Sequence, residues 1–90
     1  MIPQEIIRQL DSMAGRLTGR VSYEPRRCTE ESGIDYCTPE QAEFWSVYIE
    51  FFDHGCCVSD WVEDFDTEQD AARFADELSE FIKSAFHSEA

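Results

Sequence analysis

The residues whose chemistry is easiest to name are four cysteines and two histidines. Cys28 and Cys37 are nine positions apart, and His54 is followed closely by adjacent Cys56 and Cys57. Zinc sites commonly show two close ligand pairs, each separated by two to four residues, and these spacings do not make such a set of two. Neighbouring residues on a strand point to opposite faces, so Cys56 and Cys57 cannot both reach one ion. A mixed site of Cys28, Cys37, His54 and one of the adjacent cysteines is the geometry left open, and the expectation is no metal. A Cys28–Cys37 bridge would contribute about 2–3 kcal/mol by closing its loop. The chain carries no basic start followed by an apolar stretch, so no secretory signal is read. A reducing, cytoplasmic setting that leaves the thiols free is expected, with a bridge able to form on oxidation.

The acidic run from Asp60 to Asp70 raises calcium or magnesium. Placing Asp64, Asp66 and Glu68 on the first, third and fifth ligand positions of a calcium loop puts Gln69 where glycine is required. It also puts Ala75 where the bidentate glutamate belongs. For catalysis, His54 and His87 are the groups that titrate near neutrality unaided. No nucleophile elbow, glycine-rich phosphate loop or His-x-x-x-His signature accompanies them. The expectation is a chain that is not an enzyme and needs no cofactor.

What remains is charge interleaved with aromatic rings. The chain has 20 Asp and Glu against 7 Lys and Arg, a formal −13 in 90 residues. Between Cys28 and Ala72 there are thirteen acids and no Lys or Arg. The same stretch holds Phe44, Trp45, Tyr48, Phe51, Phe52, Trp61 and Phe65. Apolar residues make up 42% of the chain, enough for a core, which excludes a wholly disordered acidic tail. Direct binding to nucleic acid needs a basic footprint that is missing, and no apolar run approaches the roughly 20 residues that span a bilayer. Most of the aromatics must be core. A domain this small cannot hide all of them on one side of a small sheet, and a leftover patch rimmed by carboxylates has the make-up of a protein–protein anchor. Core and interface both stay open for these rings.

The elements that must position these residues read as an α+β domain spanning 1–90. A short N-terminal helix is predicted over residues 3–14, with Pro3 at its first position, Gly15 as its stop and Ile6, Leu10, Met13 and Leu17 along one face. Residues 20–24 alternate weakly and end at Pro25, which predicts a short edge strand. Residues 25–38 lack periodicity and predict a long loop. Thr38-Pro39-Glu40-Gln41 has the form of a helix start worth one or two turns. Residues 44–52 are the strongest strand, with Trp45, Val47, Ile49 and Phe51 on one side and Phe44, Ser46, Tyr48, Glu50 and Phe52 on the other. Asp53-His54-Gly55 supplies turn chemistry and residues 56–65 the answering strand, so a small antiparallel sheet is built on this β-hairpin. A two-residue loop would pair Phe51 with Val58 and Val47 with Val62; a three-residue loop would pair Phe51 with Cys57 and Val47 with Trp61. A long C-terminal amphipathic helix over 68–86 follows, capped by Thr67, with Ala71, Phe74, Leu78, Phe81, Ile82 and Ala85 as its buried stripe.

In size, charge and compactness the whole chain resembles the small acidic inhibitors of phages and mobile elements: anti-CRISPR proteins, anti-restriction DNA mimics and related nuclease inhibitors. The resemblance implies a non-enzymatic inhibitor that occupies a basic, nucleic-acid-binding surface of a bacterial defence complex by presenting carboxylates where phosphates would lie. Candidate partner-binding residues are Tyr48, Glu50, Asp53, Asp60, Trp61, Glu63, Asp64, Asp66, Glu68, Asp70, Glu77 and Glu80. Two alternatives share the composition. One is an immunity or antitoxin protein for a basic nuclease toxin. The other is a dimeric structural or adaptor domain whose acidic surface serves solubility.

Overall fold

The structure, a computed structural model, describes residues 2–29 and 33–86. Helix α1 (Gln4–Asp11) leads through a 3-10 turn at Ala14–Arg16 into strand β1 (Leu17–Thr29). Strand β2 (Gly33–Tyr36), a 3-10 turn at Pro39–Gln41, strands β3 (Phe44–Asp53) and β4 (Cys56–Phe65) and helix α2 (Glu68–Phe86) complete the chain. The four strands form one antiparallel sheet in the order β2-β1-β3-β4. The expected α+β architecture is therefore present, with a larger sheet than the sequence suggested.

That enlargement corrects two readings. The short strand at 20–24 is a 13-residue strand, and the loop at 25–38 is largely the β1–β2 hairpin, with Arg26 opposite Tyr36 and Cys28 opposite Ile34. Pro25 does not end β1, because β2 first pairs at Arg26. At Pro25 the strand has a partner only in β3, through Trp45, so the missing N–H meets no ladder on the other side. At the N-terminus, Pro3 has extended backbone and caps α1 instead of opening it. The helix ends at Asp11, four residues before Gly15, which lies within the 3-10 turn. The apolar stripe still works: Ile6 and Leu10 on the helix, and Met13 and Leu17 beyond it, are all buried.

Both helices lie on one face of the sheet. Trp45, Val47 and Ile49 of β3 and Val62 of β4 meet Ile6 and Leu10 of α1 and Ala71, Ala75, Leu78 and Ile82 of α2 in a single core. Phe65 stacks at a tilt on Phe74, with ring centroids 5.1 Å apart, and ties β4 to α2. Helix α2 is capped as expected: the Asp70 N–H donates to Thr67 Oγ1 at 3.1 Å. Ala85, expected in the buried stripe, is exposed. The buried positions step 71, 75, 78, 82, and half-buried Phe86, edge-on to Phe81, takes the next place in the last turn.

Two irregularities set what the sheet presents. In β1, Thr18, Gly19 and Arg20 intervene between the pairs Leu17–Phe51 and Val21–Ile49, where Glu50 alone intervenes in β3, and Gly19 has a φ of 93°. In β4 the turn is a two-residue loop, His54 and Gly55, both with positive φ, which gives Phe51–Val58 and Tyr48–Trp61. The next pair is Val47–Glu63, so Val62 is an inserted residue, a β-bulge. The expected Val47–Val62 pairing is thereby corrected by one residue. Val62 itself still faces the core, only 4% exposed, and beyond it the pairs run Ser46–Asp64 and Trp45–Phe65.

Candidate functional site

The strand alternation that buries Trp45, Val47 and Ile49 under the helices turns Phe44, Ser46, Tyr48, Glu50 and Phe52 to the opposite face. β1 contributes Ser22, Glu24 and Arg26 there, opposite Tyr48, Ser46 and Phe44. β4 contributes Cys57, Ser59 and Trp61, opposite Phe52, Glu50 and Tyr48. Both α1 and α2 pack on the other side, so this face is open. Trp61 is 49% exposed and Phe52 47%, the two most exposed large apolar side chains among the described residues.

The bulge at Val62 changes which residues stand on this face. In an unbroken two-residue-loop register, Asp64 would sit opposite Trp45 and point toward the helices. The inserted residue moves it opposite Ser46, onto the open face, and turns Phe65 into the core instead. There Asp64 Oδ1 accepts hydrogen bonds from Ser46 Oγ at 2.6 Å and from Trp61 Nε1 at 2.8 Å. The two donors hold the carboxylate in place and fix the indole against it. Across the strand, Arg26 Nη1 donates to Tyr48 Oη, and the guanidinium lies 5.9 Å from the Tyr48 ring centroid. Arg26, Ser46, Tyr48, Trp61 and Asp64 together line a depression of about 350 Å³. Sequence reasoning missed Ser46 and Arg26. Ser46 carried a signal, since it shares the parity of Tyr48; Arg26 was hidden by the loop reading of residues 25–38.

The candidate residues do not form one patch. Tyr48, Trp61 and Asp64 are brought together. Glu50 is on the same face but is engaged by β1: Thr18 Oγ1 donates to its carboxylate at 2.8 Å and Arg20 Nε lies 3.9 Å away. Asp53, at the hairpin end, faces Arg16 at 3.6 Å. Asp60 turns to the helix side, where Gln9 Nε2 donates to it at 2.9 Å and to the Trp61 carbonyl at 2.8 Å. The second of those bonds covers an outward carbonyl of edge strand β4. Glu63 is half-buried at the bulge, and Asp66, Glu68 and Asp70 are exposed at the β4–α2 turn and the start of α2. Asp70 faces Arg73 at 3.6 Å. Glu77 and Glu80 lie on the helical layer, beside a second depression of about 510 Å³ that Ile2, Ile7, Phe81 and Ser84 also line. The exposed rings of Phe52 and Trp61 thus stand on the open sheet face with Glu50 and Asp64, while Glu77 and Glu80 sit on the helical layer.

The cysteines are free thiols at separated places: Cys28 near the far end of β1, Cys37 after β2, and Cys56 and Cys57 at the β3–β4 turn. Among the described residues no group of three His, Cys, Asp or Glu is arranged to hold a metal ion, and no helix is long and apolar enough to cross a membrane. His54 is exposed in its turn. His87, Glu30 and Glu31 lie outside the described residues. Comparison with protein-family models, with curated proteins and with solved structures finds no match to this chain.

Proposed function

We propose that this chain is a non-catalytic binding domain that seats its open sheet face on the basic, nucleic-acid-binding surface of a partner protein and blocks it. The observation that carries the reading is the Tyr48–Trp61–Asp64 cluster: a half-exposed indole and a tyrosine beside a carboxylate, on a face that neither helix covers. Rigid aromatic side chains with a fixed polar neighbour are the residues that dominate binding at protein interfaces. β3 and β4, which carry this cluster, hold Glu50, Asp53, Asp60, Glu63 and Asp64 and no Lys or Arg, so their field favours a cationic partner. The acids on α2 stand farther from the contact and act by steering approach and raising the association rate, not by touching the partner. The partner class favoured by the resemblance to small acidic inhibitors is a bacterial defence complex that handles nucleic acid.

The test is a tagged pull-down from nuclease-treated bacterial lysate, comparing the wild type with Trp61→Ala and Asp64→Lys. Capture of a nucleic-acid-handling protein by the wild type, released as salt rises from about 0.05 to 0.5 M and lost in both variants, supports the reading. Capture that both variants retain places the contact elsewhere and refutes it.

A further inference from the structure

Resting on that reading, we infer that the depression between Tyr48 and Trp61 is the seat of a single arginine side chain from the basic partner, stacked on the Trp61 indole and paired with Asp64. Asp64 receives its two hydrogen bonds from neutral donors, Ser46 Oγ and Trp61 Nε1, and both end on Oδ1. These contacts orient the carboxylate without bringing a positive group to it, and Oδ2 is left to accept from a ligand. Tryptophan offers the strongest aromatic face for a cation, and the Trp61 ring is 49% exposed. The protein already displays half of this arrangement within itself, because the Arg26 guanidinium lies over the Tyr48 ring. Arg26 thereby takes the Tyr48 side of the depression and leaves the Trp61 side to an incoming group. At about 350 Å³ the depression is at the lower limit of a small-molecule pocket, a size suited to one side-chain head.

A guanidinium suits the seat better than an ammonium. Its planar fork stacks on an indole while donating in its own plane to a carboxylate, and it is the more weakly hydrated of the two cations. Arg26 opposes any incoming cation by its charge, which gives the inference a sign. Neutralising Arg26 strengthens binding of a cation and weakens binding of an anion.

The experiment follows Trp fluorescence at low salt while titrating a peptide of four arginines spaced by glycine, its lysine counterpart and its uncharged citrulline counterpart. Trp45 is buried, so the response reports on Trp61. The arginine peptide is expected to bind about threefold more tightly than the lysine peptide, and the citrulline peptide not at all. Asp64→Asn keeps the oxygen that Ser46 and Trp61 donate to and should weaken binding about tenfold. Glu80→Gln, the same loss of charge on the helical layer, should weaken it no more than about twofold, and Arg26→Gln should tighten it. Failure of the wild type to bind either cationic peptide overturns the basic-partner reading and the seat together. Binding that Asp64→Asn weakens no more than Glu80→Gln, or that Arg26→Gln weakens, overturns the arginine seat and leaves the broader reading standing.

Discussion

Substituting Val62 by alanine tests the hairpin register that sets the geometry of the open face. Val62 is 4% exposed and packs with Val47, Ile49 and the helices. The change deletes the equivalent of two methylene groups, about 1.6 kcal/mol at ~0.8 kcal/mol each. Partial collapse of the space left behind adds about 0.5–1 kcal/mol, for a total of about 2–2.5 kcal/mol. In a domain of this size that lowers the melting temperature by about 8–20 °C. Val58, on the same strand and the same face, is 37% exposed, so Val58→Ala should cost about 1 kcal/mol or less and leave no cavity. Thermal unfolding followed by circular dichroism measures both variants. Because the bulge closes around Val62, the Trp61–Asp64 contact should persist in Val62→Ala, leaving native-state Trp emission unchanged. Equal losses from the two substitutions would refute the placement of Val62 in the core, and with it the two-residue-loop register that sets Trp61 opposite Tyr48.

Three further outcomes follow from the same framework. His54 has a φ of 53° in the β3–β4 turn, which costs a non-glycine residue about 1 kcal/mol, so His54→Gly should raise the denaturation midpoint. Gly55→Ala should lower it: an added Cβ would meet nothing within 4 Å, but the φ of 83° penalises any side chain by about 1 kcal/mol. Acrylamide quenching of Trp emission should be heterogeneous, with an accessible Trp61 and a protected Trp45, and Trp61→Phe should remove the accessible component. A single accessible component surviving in Trp61→Phe would show that the helix face and the open face had been assigned the wrong way round.

The hairpin and the C-terminal helix were legible because local pattern and tertiary role agree there. Alternation from Phe44 to Phe52 sorts the two faces of β3, and Thr67 with the spacing of Ala71, Leu78 and Ile82 defines α2. β1 was only partly legible. Its alternation of Val21 and Tyr23 with Ser22 and Glu24 continues through Arg26, but Pro25 reads locally as a stop, and only the position of β2 shows why the strand tolerates it. The meeting of Tyr48 with Trp61 followed from one of two registers that the turn sequence allowed. Asp64 was beyond reach from sequence, since its face depends on a one-residue insertion that keeps its own carboxylate out of the core and turns Phe65 inward. The scatter of the acids was likewise invisible, because neighbouring residues in the acidic stretch separate across the sheet and onto the helices.

On the proposed function, this domain and nucleic acid compete for one surface of the partner. The direct measurement takes the partner captured from lysate, loads it with a labelled oligonucleotide of the kind it binds, and follows fluorescence anisotropy as this protein is added. The expected result is full displacement by the wild type at an excess set by the two affinities, with the competing effect weakened by rising salt and lost in Trp61→Ala. A stable ternary complex, with label and this protein bound to the partner together, would contradict it.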